Sequence, residues 1–144
     1  MFPARQWRMS EMIQLSCEPI DVPAVLAAVS SPAAGAVVLF LGTVREQSHG
    51  KSVSALEYDC YAEMARRELD RLEAEARQRW PLVECCVVHR LGRLETGQPS
   101  VAIAVSAVHR QPAFAAGQWL IDRLKEAVPL WKKETYADGS EQWI

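Results

Sequence analysis

Two amphipathic stretches, each closed by a proline, set the frame for this chain. Between Ala62 and Trp80, the residues Ala62, Ala65, Leu69, Leu72 and Ala76 recur on one face at helical spacing, and Pro81 stops the run. Between Gln111 and Val128, Phe114, Leu120, Ile121, Leu124 and Val128 form a second inward stripe, ended by Pro129. Strand-like runs surround these helices. Ala36 to Val44 is continuously apolar, Val53 to Tyr61 and Leu82 to Leu91 read as further strands, and in Ser100 to Val108 the residues Val101, Ile103, Val105 and Ala107 share one face. The short, turn-rich connection Gly92 to Pro99 predicts that the last two pair antiparallel. Asp21 is placed to cap a short helix over Val22 to Val29. Asp138-Gly139, between Trp131–Tyr136 and Glu141–Ile144, predicts a C-terminal hairpin. Helices interleaved with hairpins give an α+β fold with mainly antiparallel sheet, two long helices and a C-terminal hairpin. Residues 1–12 read as a flexible extension or the approach to a short strand, and 1–144 as one domain.

Several functions are excluded at this level. Lys and Arg number 16 against 18 Asp and Glu, a net charge of −2, which argues against a general nucleic-acid binder but leaves room for a small cationic pocket. No apolar run approaches the ~20 residues of a membrane helix, and no apolar segment follows Arg5 and Arg8 as a secretory signal would require. Cys17, Cys60, Cys85 and Cys86 lack C-x-x-C spacing, and adjacent Cys85 and Cys86 face opposite sides of a strand. They read as reduced, mostly buried thiols of a cytoplasmic protein. His49, His89 and His109 have no paired spacing, so no metal site is expected. Arg45 to Ser52 resembles a phosphate-binding loop, but Arg45 replaces its first glycine and a strand pattern, not a helix, follows Ser52. Glu63/Arg67, Glu73/Arg77 and Glu75/Arg79 are i,i+4 pairs of a solvated helix face.

Cations at element ends remain as candidates. Arg45 follows the apolar strand, His89-Arg90 ends the third strand and His109-Arg110 ends the fourth. Arginine suits phosphate and carboxylate because its planar fork donates two bonds at once. Taken singly, such residues are more often plain edge charges, and His89-Arg90 reads as structural. Lys125 borders the apolar stripe of the second helix, and Pro129 separates it from Lys132. Partial burial or a neighbouring cation would favour a neutral Lys125 amine, usable as base or nucleophile. The plainer alternative is that Lys125 snorkels from the core edge while Lys132 and Lys133 decorate an exposed strand.

Five blocks in register carry a family resemblance: Gly42-Thr43-Val44-Arg45, Leu56 to Ala65, His89 to Gly97, Val108 to Phe114, and Ile121-Asp122-Arg123-Leu124-Lys125 through Pro129 to Glu134. From about Ile13 onward the chain resembles the large, catalytic subunit of molybdopterin synthase. The resemblance implies an α/β hammerhead-like fold with an additional sheet. It also implies a sulfurtransferase that converts cyclic pyranopterin monophosphate to molybdopterin by forming a dithiolene. Sulfur would arrive as the thiocarboxylate on the C-terminal Gly-Gly of a small ubiquitin-like carrier subunit, and a homodimer of this chain would sit at the centre of a heterotetramer. Lys125 would act beside the thiocarboxylate, Lys132 would position substrate, and Arg45, His109 and Arg110 would hold its anionic groups. No cofactor or metal is implied.

The chain departs from the family pattern in places. Asp59-Cys60 stands where Glu-Ala is common, and Gln98 where Glu is common. Family members often continue past the tryptophan matching Trp143 with a basic tail that reaches a neighbouring subunit's site. The sequence stops at Ile144, so that anion contact is expected to come from elsewhere or to be absent if the protein ends there. Two other readings stand beside the sulfurtransferase: a non-catalytic module that binds an anion or protein tail through the same cations, and a Schiff-base enzyme using Lys125.

Overall fold

The computed structural model describes residues 12–144. In chain order the elements are β1 (Ile13–Ser16), α1 (Val22–Val29), β2 (Ala36–Thr43), β3 (Gln47–Ser48), β4 (Lys51–Cys60), α2 (Ala62–Arg79), β5 (Leu82–Arg90), β6 (Gly92–Glu95), β7 (Pro99–Ala107), α3 (Arg110–Ala127), β8 (Leu130–Tyr136) and β9 (Glu141–Trp143). The α+β reading holds. One sheet runs β1-β5-β7-β2, and the other β3-β4-β8-β9 with β6 also on β4. All the described pairings are antiparallel except β1 with β5.

The first sheet is buried on both faces, which explains the nearly unbroken apolar character of β5 and β7. On one side Cys85, Val87, Val101, Ile103 and Val105 pack with Leu69 and Leu72 of α2 and Leu120 and Leu124 of α3. On the other, Cys86, Val88, Ala102 and Ala104 pack with Val25 and Val29 of α1. Cys85 and Cys86 thus divide between the two faces as expected. Asp21 caps α1 by accepting a bond from the Ala24 amide at 3.1 Å.

Several expectations change. Met12 is 4 % exposed and joins the core, not a flexible extension; the rest of the expectation for 1–12 lies outside the described residues. Ala62 is exposed, and the inner face of α2 begins at Ala65. Phe114, expected inward, is 63 % exposed. The inner face of α3 is taken instead by Ala113, Ala116 and Gly117, small residues that bring the helix close to the sheet; Val38 would lie 3.5 Å from a Cβ at Gly117.

The polar segment after Arg45 is a two-residue hairpin joining β3 to β4. Its central residues His49 and Gly50 both have positive φ, 51° and 76°, the geometry a right-twisted hairpin favours. The connection after β5 is more than a turn. Gly92, at φ 82°, redirects the chain so that β6 leaves the first sheet and pairs with β4. Leu94 fixes it there, fully buried against Val44 and Leu56. This crossing brings the two sheets together around the ends of β2 and β5.

Candidate functional site

The decisive geometry is which strand ends meet. β2 and β5 are each antiparallel to β7, so their C-terminal ends lie at one edge of the sheet, and the C-terminal end of β7 lies at the other. Arg45 and His89 therefore share an edge, whereas His109 and Arg110 follow β7 at the opposite edge.

At the Arg45 edge lies a cavity of about 670 Å³, lined by Arg45, Tyr58, His89, Ser100, Lys125 and Lys132, with walls from Phe40, Leu124, Val128 and Leu130. Lys125 is in the last turn of α3. The turn at Pro129 is tight, with the Leu130 amide donating to the Val128 carbonyl at 2.9 Å, and it returns the chain as β8. Lys125 and Lys132 thus reach one cavity from a helix end and a strand. Lys125 and Arg45 are exposed at its rim, and Lys132 is half-buried.

His109 and Arg110 do not line this cavity. Fifteen residues of α3 separate Arg110 from Lys125, about 22 Å along the axis at 1.5 Å per residue. Within one chain these cations form no common site with Arg45, Lys125 and Lys132.

Lys132 and Lys133 differ sharply. Lys133 is held by Glu57 at 3.4 Å and Glu141 at 3.5 Å, and lies over the Trp143 ring. Its charge is neutralised on the face of β8 away from the cavity. Lys132 shares its face with Glu134 and Tyr136. Glu134 is 4 % exposed; its carboxylate accepts from the hydroxyls of Ser48 at 3.0 Å and Tyr136 at 3.3 Å, with His49 at 3.8 Å.

The cavity floor is polar but uncharged. His89 is 3 % exposed, and its Nδ1 lies 2.8 Å from the Arg90 carbonyl. Burial pushes its pKa down to about 4, so the ring is neutral near pH 7, with Nδ1–H donating and Nε2 unprotonated. Ser100 is 6 % exposed and donates to the Gly42 carbonyl at 3.2 Å. Tyr58 and His89 meet in a T-shaped ring contact (centroids 4.8 Å apart, planes at 72°). A Cβ at Gly42 would come within 2.7 Å of Val101 and 3.5 Å of the Ser100 hydroxyl, so glycine keeps this corner open. Arg90 has a framework role: its guanidinium donates to Gln98 at 3.3 Å and to the Arg93 carbonyl at 3.1 Å, bracing β6.

The sequence reading passed over Tyr58 and Ser100. The pointer was the antiparallel pairing itself, since the first residues of β7 must lie beside the last of β2 and β5.

No cysteine lines the cavity. Burial pushes the thiols of Cys85 and Cys86 up to about 12, which suits inert core residues. Among the described residues no group of three His, Cys, Asp or Glu side chains is arranged to hold a metal ion, and no helix is long and apolar enough to cross a membrane.

The model of the MoaE protein family matches residues 15–127. A molybdopterin synthase catalytic subunit from Pyrococcus abyssi is 42% identical over 127 residues, spanning 88% of this chain and 85% of that protein. The chain belongs to the molybdopterin synthase catalytic subunit family. The human catalytic subunit of this enzyme is 40% identical over 133 residues, 92% of this chain and 71% of the human protein. The crystal structure of molybdopterin synthase from Staphylococcus aureus aligns with a TM-score of 0.87 at 36% identity, covering 92% of this chain and 96% of that one. The fold is also that of a chain in the complex of subunits 1 and 2 of molybdopterin-converting factor from Helicobacter pylori, at a TM-score of 0.76 and 20% identity.

Proposed function

We propose that this chain transfers sulfur from the C-terminal thiocarboxylate of a small carrier protein to cyclic pyranopterin monophosphate, forming the dithiolene of molybdopterin. The observation that carries the reading is the meeting of Arg45, Lys125 and Lys132 at one cavity in a member of this enzyme family.

The chemistry brings two anions together, a cyclic phosphate and a thiocarboxylate. Like charges about 4 Å apart at an effective dielectric constant near 20 repel by roughly 4 kcal/mol. Three cations on one rim offset that cost. Lys125, on the helix end, is assigned to the thiocarboxylate and to acid–base work as its sulfur leaves; Lys132 and Arg45 are assigned to substrate. For each sulfur moved, a carbon–sulfur bond on the substrate replaces a carbon–oxygen bond, whose oxygen leaves as water or with the phosphate, while the acyl–sulfur bond of the carrier breaks and water returns the carrier as a carboxylate. No cysteine of this chain is needed, which accords with Cys85 and Cys86 being buried in the core.

We assign His109 and Arg110 to the cavity of a second copy, in a homodimer with one carrier bound at each end. The motive is their distance from Lys125 in the same chain. The test is to mix the protein with cyclic pyranopterin monophosphate and a carrier bearing either a thiocarboxylate or a plain carboxylate. Dithiolene product from the first carrier alone supports the reading. Tight carrier binding with no product from either favours a binding module instead.

A further inference from the structure

Two groups of large apolar side chains stand in water. Val108 and Phe114 flank His109 and Arg110, and Phe114 borders a groove of about 510 Å³ between α3 and β2. The second group lies where the second sheet meets the start of α2. β4 and β8 are antiparallel, so Tyr61, just past the end of β4, stands beside Trp131 near the start of β8. Their rings meet in a T-shaped contact with centroids 4.9 Å apart. Met64 follows in the first turn of α2. Tyr61 is 64 % exposed, Met64 55 % and Trp131 41 %. Tyrosine, tryptophan and methionine exposed together mark a contact surface, since these residue types are enriched where proteins meet.

The position of this patch selects its partner. Leu130 and Lys132 line the cavity, and Trp131 between them points to the other side of β8. The patch therefore begins one residue from the cavity wall. On the proposed function, the Gly-Gly terminus of a carrier reaches Lys125 and Lys132. Two extended residues span about 7 Å, so the folded body of the carrier stands at the cavity mouth once its terminus is in place. Glycines bring no side chains, and the binding energy has to come from the body, on apolar surface beside the mouth. The surface at Phe114 carries His109 and Arg110, which the same reading turns toward a second copy. The Tyr61–Trp131 patch is left for the carrier. Lys133, on the same face of β8 as Trp131, is already held by Glu57 and Glu141, so the patch offers apolar contact rather than charge.

We infer that Tyr61, Met64 and Trp131 form the docking surface for the folded body of the carrier, with Trp131 at its centre and an apolar patch beside the Gly-Gly tail as the matching feature of the partner. The inference rests on the proposed function and adds to it where the carrier sits. Tyr61 and Trp131 already hold each other in the free chain, so docking orders few side chains anew.

The test measures three quantities on the whole protein: affinity for the carrier in its carboxylate form, mass in solution, and single-turnover product from thiocarboxylated carrier. Trp131→Ala is expected to weaken carrier binding about 30-fold or more. Met64→Glu puts a charge into the patch at a helix start that tolerates an acid, and is expected to weaken binding about 10-fold. Both are expected to keep the solution mass and, at saturating carrier, a rate within about threefold of wild type. Phe114→Glu, on the other surface, is expected to leave carrier affinity within about threefold. If Trp131→Ala fails to fold, as read from urea unfolding, Met64→Glu decides. Unchanged carrier affinity in the patch variants overturns the inference, as does a loss of affinity in Phe114→Glu alone. A changed solution mass with carrier affinity kept also overturns it and makes the patch an interface between copies. Wild type that binds carrier but forms no product sinks the sulfur-transfer reading while the docking test stands. Wild type that binds no carrier sinks both.

Discussion

Lys125 and Lys132 stand on opposite sides of the tight turn at Pro129 and line one cavity, although one belongs to α3 and the other to β8. An unbroken helix would carry both on a single rod. The proline instead folds the chain back, so two ammonium groups approach a common point from different directions. That placement suits a reaction in which a carrier's tail and a small anion must meet.

The neighbouring lysine provides the control. Lys132→Ala is expected to lower turnover at least 100-fold, the scale for losing a charged group that acts on developing charge. Lys133→Ala loses contacts with Glu57 and Glu141 on the other face of β8 and is expected to keep turnover within about threefold. Steady-state kinetics of the two variants side by side check this; equal losses would contradict the division of roles.

A methyl group at residue 42 tests the corner of the site. Gly42→Ala would place a Cβ 2.7 Å from the Val101 Cγ1, so the Val101 side chain must give way in a packed core. The expected destabilisation is ~1–3 kcal/mol, read from urea unfolding. Substrate affinity is expected to fall too, because the added methyl stands 3.5 Å from the Ser100 hydroxyl at the cavity corner.

The buried His89 ring makes stability pH-dependent with a definite sign. Its pKa is about 4 in the folded protein against an ordinary value of 6.5. Between those values the unfolded chain binds a proton that the folded chain does not, so His89 lowers stability as pH falls from 6.5 to 4 and adds no further slope below. The full effect is on the order of 3 kcal/mol. Comparing wild type with His89→Gln by urea unfolding across this range is expected to show one proton's worth of slope lost in the variant. Parallel curves would contradict a neutral, buried His89.

Thiol reactivity separates the cysteines. Cys17 is exposed, whereas Cys85 and Cys86 are fully buried, with thiols pushed up to about 12. In native protein near pH 8, an aromatic disulfide reagent is expected to modify Cys17 quickly, and Cys85 and Cys86 only after unfolding. The double variant Cys85→Ala, Cys86→Ala is expected to be less stable but still able to transfer sulfur from the carrier.

Much of this was legible in the residues themselves. The proline-closed helices, the Asp21 cap and the Asp138-Gly139 hairpin are local devices, and local devices can be read from neighbours in sequence. The departures arose where tertiary packing decides. Phe114 fits a helical stripe, yet α3 lies close to the sheet through Ala113, Ala116 and Gly117, which leaves the larger ring outside. β6 was hidden in a turn-rich connection because its pairing with β4 is long-range. For the site, the antiparallel pairing of β5 with β7 already implied that His89 and His109 end at opposite edges. The resemblance supplied Lys125, Lys132, Arg45, His109 and Arg110 as a group; the fold supplied a cavity shared by the first three only, and with it Tyr58 and Ser100.

The central claim is that Lys125 serves sulfur transfer at this cavity. The most direct measurement is a single turnover of cyclic pyranopterin monophosphate with excess thiocarboxylated carrier, comparing wild type with Lys125→Ala, with carrier affinity measured in parallel. The account predicts dithiolene product from wild type and at least 100-fold slower formation by the variant, with carrier binding retained. Product formation by Lys125→Ala at the wild-type rate would contradict it.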